Sequence, residues 1–243
     1  MQTMLISASA QAEAGTSMGA DLIRSGELVA FPTETVYGLG ANGFDGDAVA
    51  RIFEAKGRPQ DNPLIMHVSK KSDVKLLWAH VPKVAVTLMD TFWPGPLTLI
   101  FNRSERVPDE VTAGLDTVAV RMPQDRTARL LIQKAGVPIA APSANLSGRP
   151  SPTRAEDVLA DMDGRIPLII DGGPCRYGVE STVLSLVGKP TILRPGAVTR
   201  EMLAAVIGEV QLASSILSPM RDNEVAASPG MKYKHYSPNA EVY

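Results

Sequence analysis

The 243-residue sequence has little of several things that mark common protein classes. It has a single cysteine, Cys175, which excludes an intrachain disulfide and a metal site built from several cysteines. Its charges almost balance, with a net charge of -2, and only 5% of its residues are aromatic. Both features speak against a protein whose main task is to bind nucleic acid or a membrane surface.

Long apolar runs are also missing. Hydrophobic residues make up 44% of the sequence, enough for a substantial core, but no stretch approaches the roughly 18 apolar residues of a membrane span. The first residues lack the basic start and apolar run of a signal peptide. We therefore expect a cytoplasmic protein without a membrane partner.

Helix and strand patterns alternate along the chain, which predicts an α/β fold. Asp45, Asp125 and Thr199 are predicted to cap three of the helices. The short link at 188–190 joins two strand patterns and favours an antiparallel pair, so a mixed sheet is expected. The composition changes after Val210, which suggests a main domain over residues 1–210 and a linker or lid over 211–243.

Two polar loops carry the strongest chemical signal. The first places Lys56 and Arg58 around a glycine, directly after a helix pattern, and the second places Ser143 and Asn145 in a turn flanked by proline and glycine. Two cations and two neutral hydrogen-bonding groups suit a polyanion such as a nucleotide triphosphate. The alternative is a pair of solvated charges that complement a helix dipole. In either case we expect the Lys56 loop to be exposed, so that its replacement changes stability little.

A second polar cluster, residues 33–35, follows the first predicted strand, and a Gly-x-Gly-x-x-Gly run covers residues 38–43. A dinucleotide-binding fingerprint needs its first glycine at the strand end and its third inside the next helix. Here the strand ends several residues early, and the third glycine precedes the predicted cap. A nicotinamide-dependent dehydrogenase is therefore a weak alternative.

Several polar residues lie on or beside predicted apolar strands. His67 has no second histidine or cysteine nearby, so a structural role is more common for it than metal binding. Arg121 and Arg194 need an anionic partner if they are buried, either a protein carboxylate or a substrate carboxylate. Ser181 precedes a strand and can bind a ligand. Cys175 lies in a glycine-rich loop without a motif that presents it to a base, so we interpret it as an ordinary thiol.

The blocks FPTETVYGLG, KGRPQDNPL, WPGPLTLIF, VAVRMP, APSANLSGRPSPT and ILRPGA follow one another between residues 31 and 197. In this order they closely resemble the threonylcarbamoyl-AMP synthase (YrdC-like) family. The segment SPGMKYKHYSP resembles the interdomain linker of the longer, two-domain form, whose following C-terminal domain we expect to be absent. The resemblance implies a YrdC-like catalytic domain: a twisted mixed open sheet with surrounding helices and a deep basic cavity.

The resemblance also implies a reaction. L-threonine, bicarbonate and ATP give L-threonylcarbamoyl-AMP and pyrophosphate, and separate transferase proteins then use the product to form N6-threonylcarbamoyladenosine in tRNA. The substrates supply the nucleophiles, so no enzyme nucleophile is needed. Mg²⁺ is expected to be held mainly by the ATP phosphates and water, without a metal site of the protein. The alternative function is a double-stranded RNA-binding module of the same fold, although strong direct nucleic-acid binding is not expected.

The site residues carried over by the resemblance fall into three groups. The signature residues near the reacting groups are Lys56, Arg58, Ser143 and Asn145. The residues expected to hold threonine are Thr35, His67, Arg121, Ala141 and Ser181, with Arg121 on the substrate carboxylate. The residues expected to hold the nucleotide are Arg58, Asn62, Thr117, Ser143, Ser151, Arg194 and Tyr236. Tyr236 belongs to the predicted lid, which we expect to fold over the cavity.

Overall fold

The computed structural model of the chain describes residues 2–217. Within this range one mixed sheet of eleven strands runs through the molecule. The strands are β1 (Met4–Ser7), β2 (Val29–Phe31), β3 (Gly38–Asn42), β4 (Ile65–His67), β5 (Leu97–Asn102), β6 (Thr117–Arg121), β7 (Ile139–Ala140), β8 (Leu168–Asp171), β9 (Thr182–Ser185), β10 (Thr191–Arg194) and β11 (Gln211–Leu212). The helices are α1 (Ala8–Arg24), α2 (Gly46–Lys56), α3 (Lys83–Phe92), α4 (Asp109–Thr112), α5 (Arg126–Ala135), α6 (Ala155–Met162), α7 (Arg200–Ile207) and α8 (Ser214–Leu217), with a 3-10 helix at Lys71–Leu76.

The strand order is β1-β8-β2-β3-β7-β4-β6-β5-β9-β10-β11. The sheet contains both parallel pairs, such as β4 with β6, and antiparallel pairs, such as β5 with β6, and β9 pairs antiparallel with β10 across the short link. The predicted mixed α/β architecture is therefore confirmed. The sheet continues to β11, slightly past the boundary at residue 210 that the sequence suggests.

Hydrophobic side chains on the two faces of the sheet form separate clusters. The larger cluster joins strand residues such as Met66 and Val120 to helices α2, α3, α6 and α7. A second cluster joins Phe31 and Ile139 to helices α1 and α5. Because side chains alternate between the faces of a strand, the neighbours of Met66 and Val120 in sequence point away from the larger cluster. That alternation determines which polar residues face the site.

The local signals that set the helix ends have the predicted chemistry. The side chains of Asp45, Asp125 and Thr199 accept hydrogen bonds from Ala48, Ala128 and Met202 at the starts of α2, α5 and α7. Helix α2 ends at Lys56, and Gly57 caps it. Gly57 has a φ of 62°, a left-handed conformation that glycine adopts without a steric penalty. This end of α2 positions the loop that carries Arg58.

The Gly-x-Gly-x-x-Gly run has a different structure from a dinucleotide-binding turn. Its first two glycines lie inside strand β3, and Gly38 and Gly40 pair with Phe31 and Val29 of β2. An added side chain at Gly40 would lie 2.7 Å from Ile139 and 2.8 Å from the ring of Phe31. These glycines therefore allow close packing around β3, and the alternative of a nicotinamide-binding fingerprint is wrong.

Two elements near the chain start have no counterpart in the sequence analysis. Strand β1 and the first half of α1 precede Ser17, where the predicted helix begins. Throughout residues 2–217, every helix is too short or too polar to cross a membrane.

Candidate active site

A cavity opens beside the centre of the sheet, where several strands contribute their ends. It is lined by Thr33, Thr35, Val36, Gly38, Arg58, Ile65, His67, Arg121, Ala141, Pro142, Ser143, Glu180, Ser181 and Arg194. Three arginines and one glutamate belong to this lining. The cavity thus has cationic groups on several sides, and it collects most of the residues that the sequence singled out.

Strand register builds one wall. His67 of β4 pairs with Arg121 of β6, and Arg121 pairs with Thr98 of β5. Ser181 directly precedes β9, next to β5, and its hydroxyl lies 2.7 Å from that of Thr98. We call His67, Arg121, Thr98 and Ser181 the polar row. These four side chains lie side by side because four neighbouring strands are aligned in register.

Arg121 is 3% exposed and is held by three groups of the protein. Its Nε donates to the carbonyl of Gly95, its Nη1 donates to the hydroxyl of Thr35 at 2.9 Å, and its Nη2 lies 2.7 Å from a carboxylate oxygen of Glu34. The sequence left open whether the anionic partner is a protein or a substrate carboxylate. The structure identifies a protein carboxylate, Glu34, while Arg121 still borders the cavity.

Glu34 is itself buried, with 6% of its surface exposed. Its second carboxylate oxygen accepts hydrogen bonds from the backbone N–H groups of Gln124 and Asp125. The Oε1 atom of Glu34 and Nη2 of Arg121 are close, but neither has an aligned hydrogen-bond partner. The ion pair therefore fixes the guanidinium without using its full hydrogen-bonding capacity.

His67 is a neutral group at this site. Burial lowers the pKa of its imidazole to about 3, and the positive charge of Arg121 acts in the same direction. Its Nδ1 lies 3.1 Å from the carbonyl oxygen of Ile65. At neutral pH His67 therefore carries no positive charge, and its second ring nitrogen can accept a hydrogen bond from a substrate.

Arg194 closes the other end of the polar row. Its Nε and Nη2 both donate to the carbonyl of Ser181, and Nη2 also lies 3.2 Å from the Ser181 hydroxyl. The arginine thus extends the row from β9 to β10. Ser181 and Arg194, which the sequence assigned to different substrates, lie in direct contact.

The opposite wall is formed by loops. Ala141 continues β7, with its N–H bonded to Ile65, and Ser143 forms an isolated antiparallel bridge to Gly38 at the start of β3. Arg58 follows the end of α2 and borders the same cavity. The two predicted polar loops therefore do meet, as their chemistry suggested.

Lys56 has a different position from the expected one. Its side chain is 3% exposed, and its Nζ donates to the carbonyl oxygens of Ser143 and Asn145, each at 2.6 Å. Burial lowers the pKa of this ammonium to about 7, with a further contribution from the charge of Arg58. The expectation that Lys56 lies exposed, so that its loss hardly affects stability, is wrong, because the helix end buries the side chain against the second loop.

Asn145 is also buried, with 4% exposed. Its Nδ2 donates to the carbonyls of Leu146 and Arg149, each at 2.8 Å. Neither Lys56 nor Asn145 belongs to the cavity lining, whereas Arg58 and Ser143 do. The four signature residues therefore occupy two layers, one at the cavity and one behind it.

Some expected nucleotide ligands lie away from the lining. Asn62 is fully buried, and Thr117 is at the start of β6, four residues from Arg121 at the other end of the strand. Ser151 reaches the cavity indirectly, because its hydroxyl donates to Glu180 at 2.6 Å. Tyr236 and the part of the predicted linker or lid beyond residue 217 lie outside the described residues. The assignments of these residues stay predictions.

Three residues of the site were not selected from the sequence. Glu34 and Glu180 were visible as carboxylates inside polar motifs, and the need of Arg121 for an anion was a signal that pointed to the first of them. Thr98 gave no signal, since it sits in an apolar strand, and only the register places it beside Arg121 and Ser181.

Comparison with known proteins matches this fold and these motifs to one family. The sequence profile of the Sua5, YciO and YrdC proteins, described as "Telomere recombination", matches residues 21–196. The chain belongs to this family. A second profile, described as the C-terminal domain of threonylcarbamoyl-AMP synthase, matches residues 198–243.

Two curated relatives are named threonylcarbamoyl-AMP synthase. The protein from Pyrococcus abyssi is 54% identical over 226 residues, which cover 93% of this chain and 66% of the relative. The protein from Bacillus subtilis is also 54% identical, over 228 residues, which cover 93% of this chain and 65% of the relative. The chain therefore spans slightly less than two thirds of the length of these relatives.

Solved structures of the family have the same fold. The structure of P. abyssi Sua5 complexed with L-threonine aligns with a TM-score of 0.92 and 50% identity, and the alignment covers 98% of this chain and 70% of that chain. Escherichia coli YciO aligns with a TM-score of 0.69 at 22% identity, over 80% of this chain and 96% of that chain. The second similarity supports the fold alone.

Proposed function

We propose that this chain is an L-threonylcarbamoyl-AMP synthase, which forms threonylcarbamoyl-AMP and pyrophosphate from L-threonine, bicarbonate and ATP. The observation that carries the proposal is that one cavity is lined both by His67, Arg121 and Ser181 of the polar row and by Arg58 and Ser143 of the loops. One wall suits a small amino acid, and the other suits phosphate groups. The relatives at 54% identity that bear this enzyme's name support the same assignment.

The threonine pocket of this proposal consists of Thr35, His67, Arg121, Ala141 and Ser181. A guanidinium has more N–H groups than the three contacts of Arg121 use, so it can bind a substrate carboxylate without leaving Glu34. Arg121 is thus already oriented before the substrate arrives. The related P. abyssi structure was obtained in complex with L-threonine, and its similarity to this chain supports a threonine site here.

The reaction requires orientation more than it requires a reactive side chain. The amine of threonine attacks the carbon of carbon dioxide and loses a proton to become a carbamate. With bicarbonate, a C–O bond also breaks and water leaves. A carbamate oxygen then attacks the α-phosphorus of ATP, and the bond to the leaving pyrophosphate breaks. Holding these reactants together converts an encounter of several molecules into a local step. Nδ1 of the neutral His67 imidazole donates to the carbonyl of Ile65, so its Nε2 can accept a hydrogen bond from the substrate amine without repelling it.

A covalent enzyme intermediate through the cysteine does not fit the geometry. Cys175 is outside the cavity lining, and burial raises the pKa of its thiol to about 12. The thiolate, which is the reactive form, is therefore a minor species at neutral pH. The substrates' own nucleophiles suffice for the proposed steps.

The nucleotide is proposed to bind along the loop wall. Arg58 and Ser143 of the loop wall, together with Arg194 at the end of the polar row, border the cavity and would contact the phosphates, and guanidinium groups suit such bidentate contacts. The further proposed ligands are Asn62, Thr117, Ser151 and Tyr236. Developing negative charge on the α-phosphate would then be stabilised by groups that are already in place.

Mg²⁺ is proposed to arrive with the nucleotide and to be held mainly by the ATP phosphates and water. Within residues 2–217, no group of three or more histidine, cysteine or acidic side chains could hold a metal ion. The carboxylates nearest the cavity are engaged, Glu34 by Arg121 and Glu180 by Ser151. A phosphate-bound ion would neutralise charge on the leaving group.

The product is a reactive mixed anhydride, so we propose that separate transferase proteins receive it and modify tRNA. The alternative function is direct binding of double-stranded RNA. A salt titration of RNA binding by the full chain distinguishes the two functions, because a binding module would show a strong salt dependence.

The test of the proposed function is the substrate requirement of pyrophosphate release. The full chain is assayed with ATP and Mg²⁺, and threonine and bicarbonate are left out singly and together. We expect an AMP adduct and pyrophosphate only when both are present. ATP consumption at the same rate without threonine would overturn the proposal.

A further inference from the structure

The four signature residues contribute to the site in two different ways. Arg58 and Ser143 border the cavity, whereas Lys56 and Asn145 are buried behind Ser143. Lys56 and Arg58 are only two residues apart, but the left-handed turn at Gly57 directs them differently. The same sequence motif therefore supplies one cation to the cavity and one to the protein interior.

Lys56 connects α2 to the segment that we call the 143–149 loop. Its ammonium donates to two backbone carbonyls of that loop, on either side of Ala144, and its own carbonyl accepts from the N–H of Ser147. Charge-assisted hydrogen bonds of this kind are stronger than neutral ones. A single side chain thus fixes the backbone at Ser143 from behind.

Asn145 holds the next part of the same loop. Its amide donates to Leu146 and Arg149, which closes residues 145–149 into a compact turn. Asp161 of α6 adds an outer contact, since its carboxylate accepts from the Leu146 N–H and pairs with Arg149. The 143–149 loop is therefore anchored to two helices by buried or nearly buried side chains.

We propose that Lys56 and Asn145 are positioning residues, which hold the 143–149 loop so that Ser143 faces the nucleotide, and that neither contacts a substrate. The identity of that ligand rests on the proposed function, whereas the anchoring of the loop does not. The inference differs from the expectation drawn from the motif, in which all four residues lie near the reacting groups. It assigns substrate contact to Arg58 and Ser143 alone among the four.

The charge environment agrees with this division. A buried lysine that made no compensating contact would be costly, and here two carbonyl oxygens stabilise its ammonium. Burial and the charge of Arg58 together lower the pKa of Lys56 toward neutrality. The cation that borders the cavity is Arg58, whereas the ammonium of Lys56 is directed at two backbone acceptors behind the cavity.

The test compares two substitutions in one motif. Lys56→Met removes the ammonium and keeps the length of the stem, and Arg58→Met is the matched control. Amide hydrogen exchange of the full chain is measured without substrates. In Lys56→Met we expect exchange in the 143–149 loop to become at least about tenfold faster, the factor that corresponds to the loss of a charge-assisted hydrogen bond. In Arg58→Met the loop should exchange as in the native protein.

ATP binding then separates positioning from contact. Both variants should bind ATP more weakly, but only Arg58→Met should lose part of the salt dependence, because only it removes a charge that meets the phosphates. Threonine binding should be nearly unchanged in both. The proposal is overturned if the 143–149 loop exchanges in Lys56→Met as it does in the native protein. It is also overturned if the salt dependence of ATP binding falls in Lys56→Met as it does in Arg58→Met, because Lys56 would then be a direct ligand.

A second variant keeps the test decisive if Lys56→Met does not fold. Asn145→Leu has a similar shape but no amide donors, and it should speed exchange at residues 146–149 by a similar factor. Unchanged exchange there would contradict the proposal. The exchange measurements need no turnover, so they retain their meaning even if the full chain fails to make threonylcarbamoyl-AMP.

Discussion

Strand register positions one wall of the cavity, whereas buried side-chain hydrogen bonds position the other. The polar row rests on paired strands, and its order follows from the alignment of β4, β6, β5 and β9. The 143–149 loop has little regular structure of its own, and Lys56 and Asn145 take the place of a strand ladder. After the loss of one polar side chain, the backbone of the first wall should keep its position better than the backbone of the second wall.

The two walls also differ in the pKa of their buried titratable groups, the imidazole of His67 and the ammonium of Lys56. His67 in the polar row has its pKa lowered to about 3, and Lys56 behind the loop has its pKa lowered to about 7. At neutral pH the first is uncharged, and the second is close to its titration point. Changes of pH should therefore affect the two walls in separate ranges.

The largest effect is expected in the polar row, at the buried ion pair of Arg121 and Glu34. Arg121→Met leaves Glu34 without its cation and should lower the free energy of unfolding by about 3–5 kcal/mol. Adding Glu34→Gln should recover much of this loss, because the remaining group is neutral. Chemical denaturation of the single and double variants measures both effects.

A control pair lies on the surface. Lys71→Met breaks the exposed contact with Asp90, and it should change stability by less than about 1 kcal/mol. A double variant at Arg121 and Glu34 that is no more stable than Arg121→Met would show that the buried pair is not the source of the loss.

The next effect concerns Lys56. Its pKa is lowered from 10.5 to about 7 in the folded protein, so between these values the unfolded chain binds the proton more tightly. The free energy of unfolding should then rise with pH across this window, by about 2 kcal/mol from pH 6 to pH 8.5. Denaturation of the native protein and Lys56→Met at both pH values measures the difference, which should vanish in the variant. An equal rise in both proteins would assign the effect to another group.

His67 should respond on the acid side by a similar amount. Its folded pKa of about 3 lies below the value of 6.5 for a free imidazole, so the unfolded chain gains the proton first as pH falls. Stability should fall by about 2 kcal/mol between pH 7 and pH 5 in the native protein relative to His67→Asn. In NMR spectra of the folded protein, the imidazole resonances of His67 should also remain those of the neutral form between pH 7 and pH 5. Protonation of the folded protein's His67 near pH 6 would contradict this.

The smallest effect is expected at Ser151, whose hydroxyl donates to Glu180 at the cavity edge. Ser151→Ala should cost about 1 kcal/mol or less in stability, the net value of one hydrogen bond. Because Glu180 then loses this hydrogen bond, the KM for ATP should rise by about fivefold. A free-energy difference of about 1 kcal/mol corresponds to a change of this size in an equilibrium constant. Initial rates at varied ATP measure this change, with kcat as the internal reference.

Much of the fold followed from local sequence signals. The helix caps at Asp45, Asp125 and Thr199 and the strands at residues 168–171 and 191–194 needed only short-range chemistry, and they are confirmed. Strand β3 was missed because its glycines resemble a turn, although here they permit tight packing against Phe31 and Ile139. Such packing depends on neighbours far away in sequence.

The sequence predicted many residues of the site, but it did not predict which of them line the cavity and which are buried behind it. The sequence predicted that a buried Arg121 needs an anionic partner. It did not identify Glu34 as that partner, because only the fold brings residues 34 and 121 together. Thr98 joined the polar row through strand register, which no sequence pattern specified. Lys56 and Arg58 have similar chemistry and spacing in sequence, so only the turn at Gly57 distinguishes the buried cation from the one at the cavity.

The most direct test of this account measures two ligands against two variants by calorimetry. Binding of L-threonine and of ATP with Mg²⁺ is determined for the native chain, Arg121→Lys and Lys56→Met. Arg121→Lys loses the planar guanidinium and should weaken threonine binding far more than ATP binding. Lys56→Met should do the opposite. Equal losses of both ligands in both variants would contradict the division of the cavity into an amino-acid wall and a nucleotide wall.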